Sequence, residues 1–445
     1  MGQEQSVASR TSRLTDVDRR IIRLAIPAFG ALAAEPLYRL VDTAIVGRLG
    51  TPQLGGVAVA VGALSIVIAG SSFLAYGTTE RVARRVGSDD PAGAARTGIQ
   101  ALWIAVAIGA IAGPLLAIGA EPLCRLLGAD GDVLDFAIEY LQISAIGVPF
   151  VIAGVAAQGV QRGRSDYRTS LVVLVAANVV NVAIEPILVF GFDLGVAGAA
   201  WSTVVAQVLA GVALMWRTIP HVSGATTRRP DRGEIGALLS AGRHLLLRTG
   251  AMIAVFSGST AVAARIDEPT LAAHQIGVTM FIFLALSLDA LAVPSQTLVA
   301  EELGRGEGGA ADVASRALRM SVVVGAILAA VVAASSPLLS RLFTDDPAVV
   351  SRATAALIVL GVMMIPGAIA FATDGSLIGA GDYRFLGRAA LVYLVAVLPL
   401  AVLTLSVPSV GIVGVWVALF VWMSLRAMVN RHRAHSLLGS SLASS

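Results

Sequence analysis

An all-α integral membrane fold is predicted, with twelve transmembrane helices in two six-helix lobes related by a pseudo-twofold axis along the membrane normal. Three observations predict it. The 445-residue chain is 56% hydrophobic and 14% charged, with a mean hydropathy of +0.81, more apolar surface than one soluble core could hide. Its apolar residues fall into twelve runs, each long enough to cross a hydrocarbon core of about 30 Å. The chain also contains itself twice. Gly163, Asp166, Tyr167 and Arg168 return as Gly379, Asp382, Tyr383 and Arg384, and Gly195 and Gly198 return as Gly411 and Gly414, at an offset of 216 residues. Arg48, Pro52 and Leu54 match Arg265, Pro269 and Leu271, and Val86-Gly87 matches Leu303-Gly304, at an offset of 217.

Residues 1–20 are polar and Arg-containing, and the apolar run after them lacks a small-residue cleavage site, so the first span is expected to stay in the protein. Span one, 21–47, holds Glu35, Arg39 and Asp42. A carboxylate at the bilayer centre costs roughly 2.5 to 3.5 kcal/mol on insertion scales, so each should face the interior, pair, or bind a proton or cation. Glu35 and Arg39 are spaced i,i+4 with the acid first, the favourable order for an ion pair, which leaves Asp42 as the titratable group. Span two, 54–76, is followed by Glu80 among Arg81, Arg84 and Arg85, an expected interfacial ion-pair member. Spans three and four cover 97–119 and 136–160, the latter ending near Gln158. In the following turn and in its repeat, before spans five and eleven, Asp166 and Asp382 are expected to cap the next helix, and Arg168 and Arg384 to anchor at headgroups.

Span five, 170–191, places Asn181 and Glu185 on one helical face, with Asn178 one turn earlier and Pro186 removing a backbone donor. The blander reading of Asn178 and Asn181 is interhelical hydrogen bonding. Span six covers 195–217, and residues 218–241 form a linker containing Arg228, Arg229, Asp231 and Arg232. The second lobe follows with spans at 242–264, 271–297, 316–336, 349–372, 388–406 and 411–430, and a tail at 431–445. Its deep acids are Asp289 in span eight and Asp374 at span ten, either on the substrate path or paired with loop Arg or with Ser and Thr. Asp374 aligns with Gln158, so the copies differ in charge there. Pro27, Pro294 and Pro366 are candidate bends.

All 32 basic residues are Arg, so a P-loop lysine and a Schiff-base lysine are both excluded, and the single Cys124 excludes an internal disulfide or a multi-Cys metal site. No nucleic-acid partner is implied, because the Arg residues lie mostly in loops between apolar spans. Only Arg48, Arg125, Arg265, Arg341 and Arg352 fall in the odd-numbered loops, so both termini are expected in the cytoplasm of a cell membrane. Six spans per copy give both copies the same orientation, the parallel-repeat plan of a secondary transporter whose halves rock about a central site.

The chain resembles the multidrug and toxic compound extrusion (MATE) family from Pro27 to about residue 430. The residues that carry the resemblance are Val41-Asp42-Thr43 with Val46-Gly47-Arg48-Leu49-Gly50, Ala272-Ala273-His274-Gln275-Ile276, and the two Gly-x-x-Asp-Tyr-Arg turns. Met252, where the NorM-like branch places a Glu, and Asp374-Gly375 make it look DinF-like. The resemblance implies a V-shaped two-lobe fold and antiport driven by H⁺ or Na⁺ without a cofactor. It further implies export of amphipathic organic compounds, cations among them, by a protein expected to be a monomer in the lipid bilayer. It also implies a proton site at Asp42, Asn181, Glu185 and Thr203, with Glu185 in place of the more usual Asp. Such a buried carboxyl can take a proton at the acidic outer face and release it inside, and the same oxygens, those of Asp42 and Glu185 included, could instead coordinate Na⁺.

Two other classes compete. A lipid-linked precursor flippase of related architecture should carry several Arg in its spans facing the cavity, whereas here only Arg39 reads as deep. An intramembrane enzyme should show H-E-x-x-H, G-x-S-x-G or clustered metal ligands, and none is present. Under the repeat offsets Asp42 and Glu185 fall near Ser259 and Ala401, so the first copy carries charge that the second lacks.

Overall fold

The computed structural model describes residues 15–439, and those residues form fourteen α-helices with no strand. The first copy comprises α1 (Asp16–Val46), α2 (Thr51–Gly87), α3 (Pro91–Ile118), α4 (Ala120–Leu126), α5 (Gly131–Ser144), α6 (Val148–Gly163), α7 (Tyr167–Pro186) and α8 (Gly195–Val222). The second comprises α9 (Arg232–Ile266), α10 (Glu268–Arg305), α11 (Ala310–Phe343), α12 (Pro347–Gly379), α13 (Tyr383–Ser406) and α14 (Gly411–Gly439). Eleven of these elements are long and apolar enough to span a membrane, and the pair α5 and α6, bent by 54°, makes the twelfth. Pro149, without a backbone N–H, sits in the first turn after that bend, where the missing donor costs nothing. The expected twelve spans in two lobes are therefore present, and Pro27, Pro294 and Pro366 all lie inside continuous helices.

The helices outrun the apolar stretches that nucleate them. α1 starts at Asp16 rather than 21, α8 and α9 leave only 223–231 of the expected linker non-helical, and α14 continues to Gly439 into the expected tail. The cause is capping in the polar ends: the Asp231 carboxylate accepts from the Gly233 and Glu234 amides and so starts α9 early. Thr15 and Asp18 form a reciprocal capping box at α1. Asp90, Asp166, Asp267 and Asp346 cap α3, α7, α10 and α12 in the same way. Residues 1–14 and 440–445 of the expected terminal segments lie outside the described residues.

Packing repeats the sequence duplication. In the first lobe Gly159 and Gly163 of α6 lie against the backbone of Ala75 and Thr79 on α2, and in the second Gly375 and Gly379 of α12 lie against Ala292 and Gln296 on α10. These are equivalent positions under the 216 and 217 offsets. Between the lobes, a Cβ added at Gly87 would fall on the Glu301 carbonyl oxygen, and one at Gly304 on the Arg84 carbonyl oxygen. Only glycine allows α2 and α10 to approach this closely. Because residue 301 is the equivalent of residue 84, the two contacts exchange under the twofold axis.

This seam lies at the end of the molecule that bears the Arg-rich loops, and polar contacts reinforce it there. Tyr167 of α7 donates to the Val293 carbonyl at 3.1 Å and shares a 2.6 Å hydrogen bond with Thr297 on α10. Tyr383 of α13 donates to Glu80 on α2 at 3.1 Å. Arg84 holds Glu80 at 2.7 Å and reaches across to the Ala380 carbonyl at 3.1 Å, while Arg20 holds Glu301 at 2.6 Å. Glu80 thus makes the expected ion pair with Arg84 and, being buried, also bridges the lobes through Tyr383. The paired turns also differ from expectation in one respect: Asp166 caps α7, but Asp382 makes no side-chain cap and instead binds Arg433 at 2.7 Å.

Candidate functional site

α1, α5, α7 and α8 surround a polar cluster in the first lobe. α1 brings Tyr38 and Asp42 to one face because they are one turn apart, and α7 presents Asn181 and Glu185 by the same spacing. The Tyr38 hydroxyl is the hub. It donates to Asp42 Oδ1 at 3.3 Å, accepts from Asn181 Nδ2 at 3.4 Å, and shares a 2.9 Å hydrogen bond with Thr203 Oγ1 of α8. Tyr140 of α5 approaches the same Thr203 hydroxyl at 3.4 Å. Asp42, Asn181, Glu185 and Thr203 are all buried, Glu185 completely. Directly after Glu185 and Pro186 the backbone widens into a π-helical turn, Ile187–Gly191, the local loosening expected of a proline at this position.

The acceptors in this cluster outnumber the donors. Neither Glu185 carboxyl oxygen nor Asn181 Oδ1 receives a hydrogen bond from the protein, although all three are buried. The carboxyl of Asp42 lies beside that of Glu185. Two adjacent buried carboxylates, one with no donor and the other with only the Tyr38 hydroxyl, repel each other, and either a proton shared between them or a cation coordinated by these oxygens removes the repulsion. Na⁺ favours hard oxygen donors of this kind, and the amide and hydroxyl oxygens of Asn181 and Thr203 extend the set. The cluster therefore fits either ion.

Beside it lies a cavity of about 750 Å³, within the usual range for organic ligands. Asp42, Asn181 and Thr203 line it, together with Glu35, Arg39, Asn178 and Gln158. The expected Glu35–Arg39 pair is present at 2.6 Å, with both side chains open to the cavity. Asn178 donates to the Ala34 carbonyl at 3.0 Å and so ties α7 to α1, the interhelical role weighed for it. Gln158 accepts from Arg162 at 3.0 Å.

The structure places Asp289 and Asp374 elsewhere, in the second lobe. Asp289 is half-buried and its side chain makes no hydrogen bond among the described residues, with Arg248 and Arg426 the cations that act on it most. Asp374 is buried and binds Arg248, Arg426 and Asn430, so its partners are in spans seven and twelve rather than in loops. Arg426 also lies over Phe371 at 5.2 Å and over Trp422 at 5.7 Å. Arg39 is therefore not alone in depth: Arg426 is buried and Arg248 half-buried within spans, and Arg162 lines the cavity. Apolar runs conceal such residues because one Arg barely lowers a twenty-residue average. The i,i+4 spacing of Tyr38 and Asp42 was a signal that could have found the hub tyrosine.

Comparison with known proteins agrees with this architecture. A family model described as MatE matches residues 27–187 and 251–403. Protein DETOXIFICATION 44, chloroplastic, of Arabidopsis thaliana is 30% identical over 95% of this chain and 83% of its own length. DNA damage-inducible protein F of Escherichia coli K12 is 29% identical over 93% of this chain and 91% of its own length. A solved structure titled as MATE in the bent conformation superposes with a TM-score of 0.89 at 22% identity, covering 96% of this chain and 98% of that one. With the repeat, the twelve spans and the family match in agreement, the chain belongs to the MATE family of membrane transporters.

Proposed function

We propose that the chain is a cation-coupled exporter of amphipathic organic compounds, in which Asp42 is the principal coupling carboxylate and Glu185, Asn181 and Thr203 complete its site. The observation that carries this reading is the surplus of buried acceptors, the two Glu185 oxygens and Asn181 Oδ1, beside a second carboxyl and a ligand-sized cavity. Such a site is stable with a proton or Na⁺ bound and costly without one. Loading and unloading the ion then bias two arrangements of the lobes, 21–217 and 242–430, which exchange substrate for cation by alternating access. Detoxification, the role named for the Arabidopsis relative, is the role this mechanism serves here.

The distribution of Arg supports an orientation with both termini in the cytoplasm of a cell membrane. The interlobe seam then closes the cytoplasmic side, and the working unit is the single chain. The flippase alternative gains little from the guanidiniums within the second lobe's spans, because Arg248 and Arg426 are both bound to Asp374. Purified protein in proteoliposomes, given a ΔpH or a Na⁺ gradient one at a time, tests the coupling. Asp42→Asn abolishes gradient-driven export while expression stays at the wild-type level, and wild-type export by that variant would overturn the assignment.

A further inference from the structure

The formal charges lining the substrate cavity sum to zero, but they are not evenly paired, and the unpaired guanidinium identifies a class of substrate. Four ionisable carboxylate or guanidinium side chains line the cavity: Glu35, Arg39, Asp42 and Arg162. Glu35 neutralises Arg39. Asp42 faces Glu185 and belongs to the coupling site. Arg162 is left. Among the described residues its only hydrogen-bond partner is the neutral Gln158 Oε1, one turn back on α6, and no carboxylate lies within ion-pair reach. Asp289 across the seam feels its field, but less than those of Arg248 and Arg426.

The duplicated lobe shows what a compensated arrangement looks like. The residue equivalent to Gln158 there is Asp374, which holds two guanidiniums. In the first lobe the acid is an amide, so the Arg162 guanidinium opens onto the cavity without a counter-charge. Its position matters as well. Arg162 is in the last turn of α6, at the Arg-rich end, whereas Asp42 is in the last turn or so of α1, which runs the other way. The cavity therefore has a cationic floor and, toward the opposite end, a carboxylate site, with apolar walls between.

We propose that Arg162 is a substrate-binding residue and that the preferred cargo is an amphipathic organic anion, a carboxylate or sulfonate on a hydrophobic body, seated with its charge on the Arg162 guanidinium. This rests on the exporter reading for its direction but not for its chemistry. A planar guanidinium offers paired donors to a carboxylate or sulfonate, and burial of both partners in an apolar cavity makes the pairing selective against a neutral analogue.

The test is equilibrium binding to the purified full-length protein, comparing pyrenebutyrate with its neutral primary amide and with ethidium as an amphipathic cation. Wild-type protein binds the carboxylate at least roughly tenfold more tightly than the amide. Arg162→Gln brings that ratio to about one, and Arg162→Lys, which keeps the charge but loses the paired donors, gives a value in between. Gln158→Asp supplies the acid that the other lobe carries and removes the preference with Arg162 still in place, so the outcome does not depend on one variant's folding. Equal binding of carboxylate and amide by wild type, tighter binding of ethidium than of pyrenebutyrate, or an unchanged ratio in both Arg162→Gln and Gln158→Asp would overturn the proposal. Failure of any ion gradient to drive transport would instead defeat the coupling reading and leave these ratios standing. A fluorescent phospholipid probed with dithionite is not moved across the bilayer, and gradient-dependent movement of that lipid would assign Arg162 to a lipid phosphate and overturn the organic-anion assignment.

Discussion

Tyr383 donates a hydrogen bond to Glu80 at the position where, in the other half of the molecule, Tyr167 meets Thr297. The two contacts exchange under the repeat offsets, so each lobe closes on the other with a tyrosine taken from its Asp-Tyr-Arg turn. Only one of the two acceptors is a carboxylate. Hydrogen bonds to charged groups contribute about 1.5–3 kcal/mol against about 1 kcal/mol for neutral pairs, so the latch is stronger on the Glu80 side.

Tyr383→Phe accordingly opens the seam more than Tyr167→Phe does. Spin labels at the exposed positions Arg168 and Arg384 report it as a larger population of long distances in double electron–electron resonance. The population ratio shifts by roughly tenfold for Tyr383→Phe, as expected for about 1.4 kcal/mol. Matching distance distributions in the two variants would show that the charge on Glu80 plays no part in closure.

Glu185→Gln replaces one of two facing carboxyls by an amide that can donate to Asp42, which relieves the repulsion without an ion. Gradient-driven transport falls by at least about tenfold while substrate binding at equilibrium is retained, since coupling rather than the cavity has been altered. Asn181→Ala, which leaves both carboxyls in place, has a smaller effect on the same transport assay.

Asp374→Ala leaves the buried Arg426 and the half-buried Arg248 guanidiniums without their shared carboxylate. The cost is about 3–5 kcal/mol, read as a clear loss of thermal stability in detergent. The triple change Asp374→Leu with Arg248→Met and Arg426→Met restores most of that loss, because an apolar set of similar volume has no charge to desolvate. Continued instability of the triple variant would mean that the cluster organises the second lobe beyond its charge balance.

Asp267, in the turn between α9 and α10, is held below the usual carboxylate range chiefly by the Thr270 hydroxyl, and further by the Thr270 amide and by Arg352. A depressed folded-state value stabilises fully above the ordinary value of about 3.9 and fades as pH falls through the folded one. The contribution is therefore constant from pH 5 to 8. Asp267→Asn gives a transport profile against pH over that range that superposes on wild type, and a displaced profile would place a transport-linked proton at this turn.

Much of this was legible in the chain. Apolar run length fixes the existence of the spans, and four separate repeat anchors fix their parallel arrangement, because packing glycines such as Gly87 and Gly304 recur wherever two backbones must touch. The i,i+4 spacings of Glu35 with Arg39, and of Asn181 with Glu185, also survive into the structure, since helical periodicity is local. Partners from distant spans were not legible. The Asp374 cluster draws Arg248 and Arg426 from two other helices, and nothing in the spacing of those three residues encodes their meeting. Helix ends were misjudged for a related reason: hydropathy marks where lipid stops, whereas caps such as Asp231 mark where the helix begins.

The crossing of Gly87 over Glu301 and of Gly304 over Arg84 sits at the very tip of long helices, and that placement has a mechanical consequence. α2 has 37 residues, a rod of about 55 Å at 1.5 Å per residue, pinned near one end. Turning such a rod by about 10° about its pinned tip sweeps the free end through roughly 10 Å. Side chains at the glycine crossing would scarcely change neighbours during that turn. While the crossing stays closed, tilting of the lobes therefore changes the opposite mouth most, and parting of the crossing itself is the separate step that opens the cytoplasmic side.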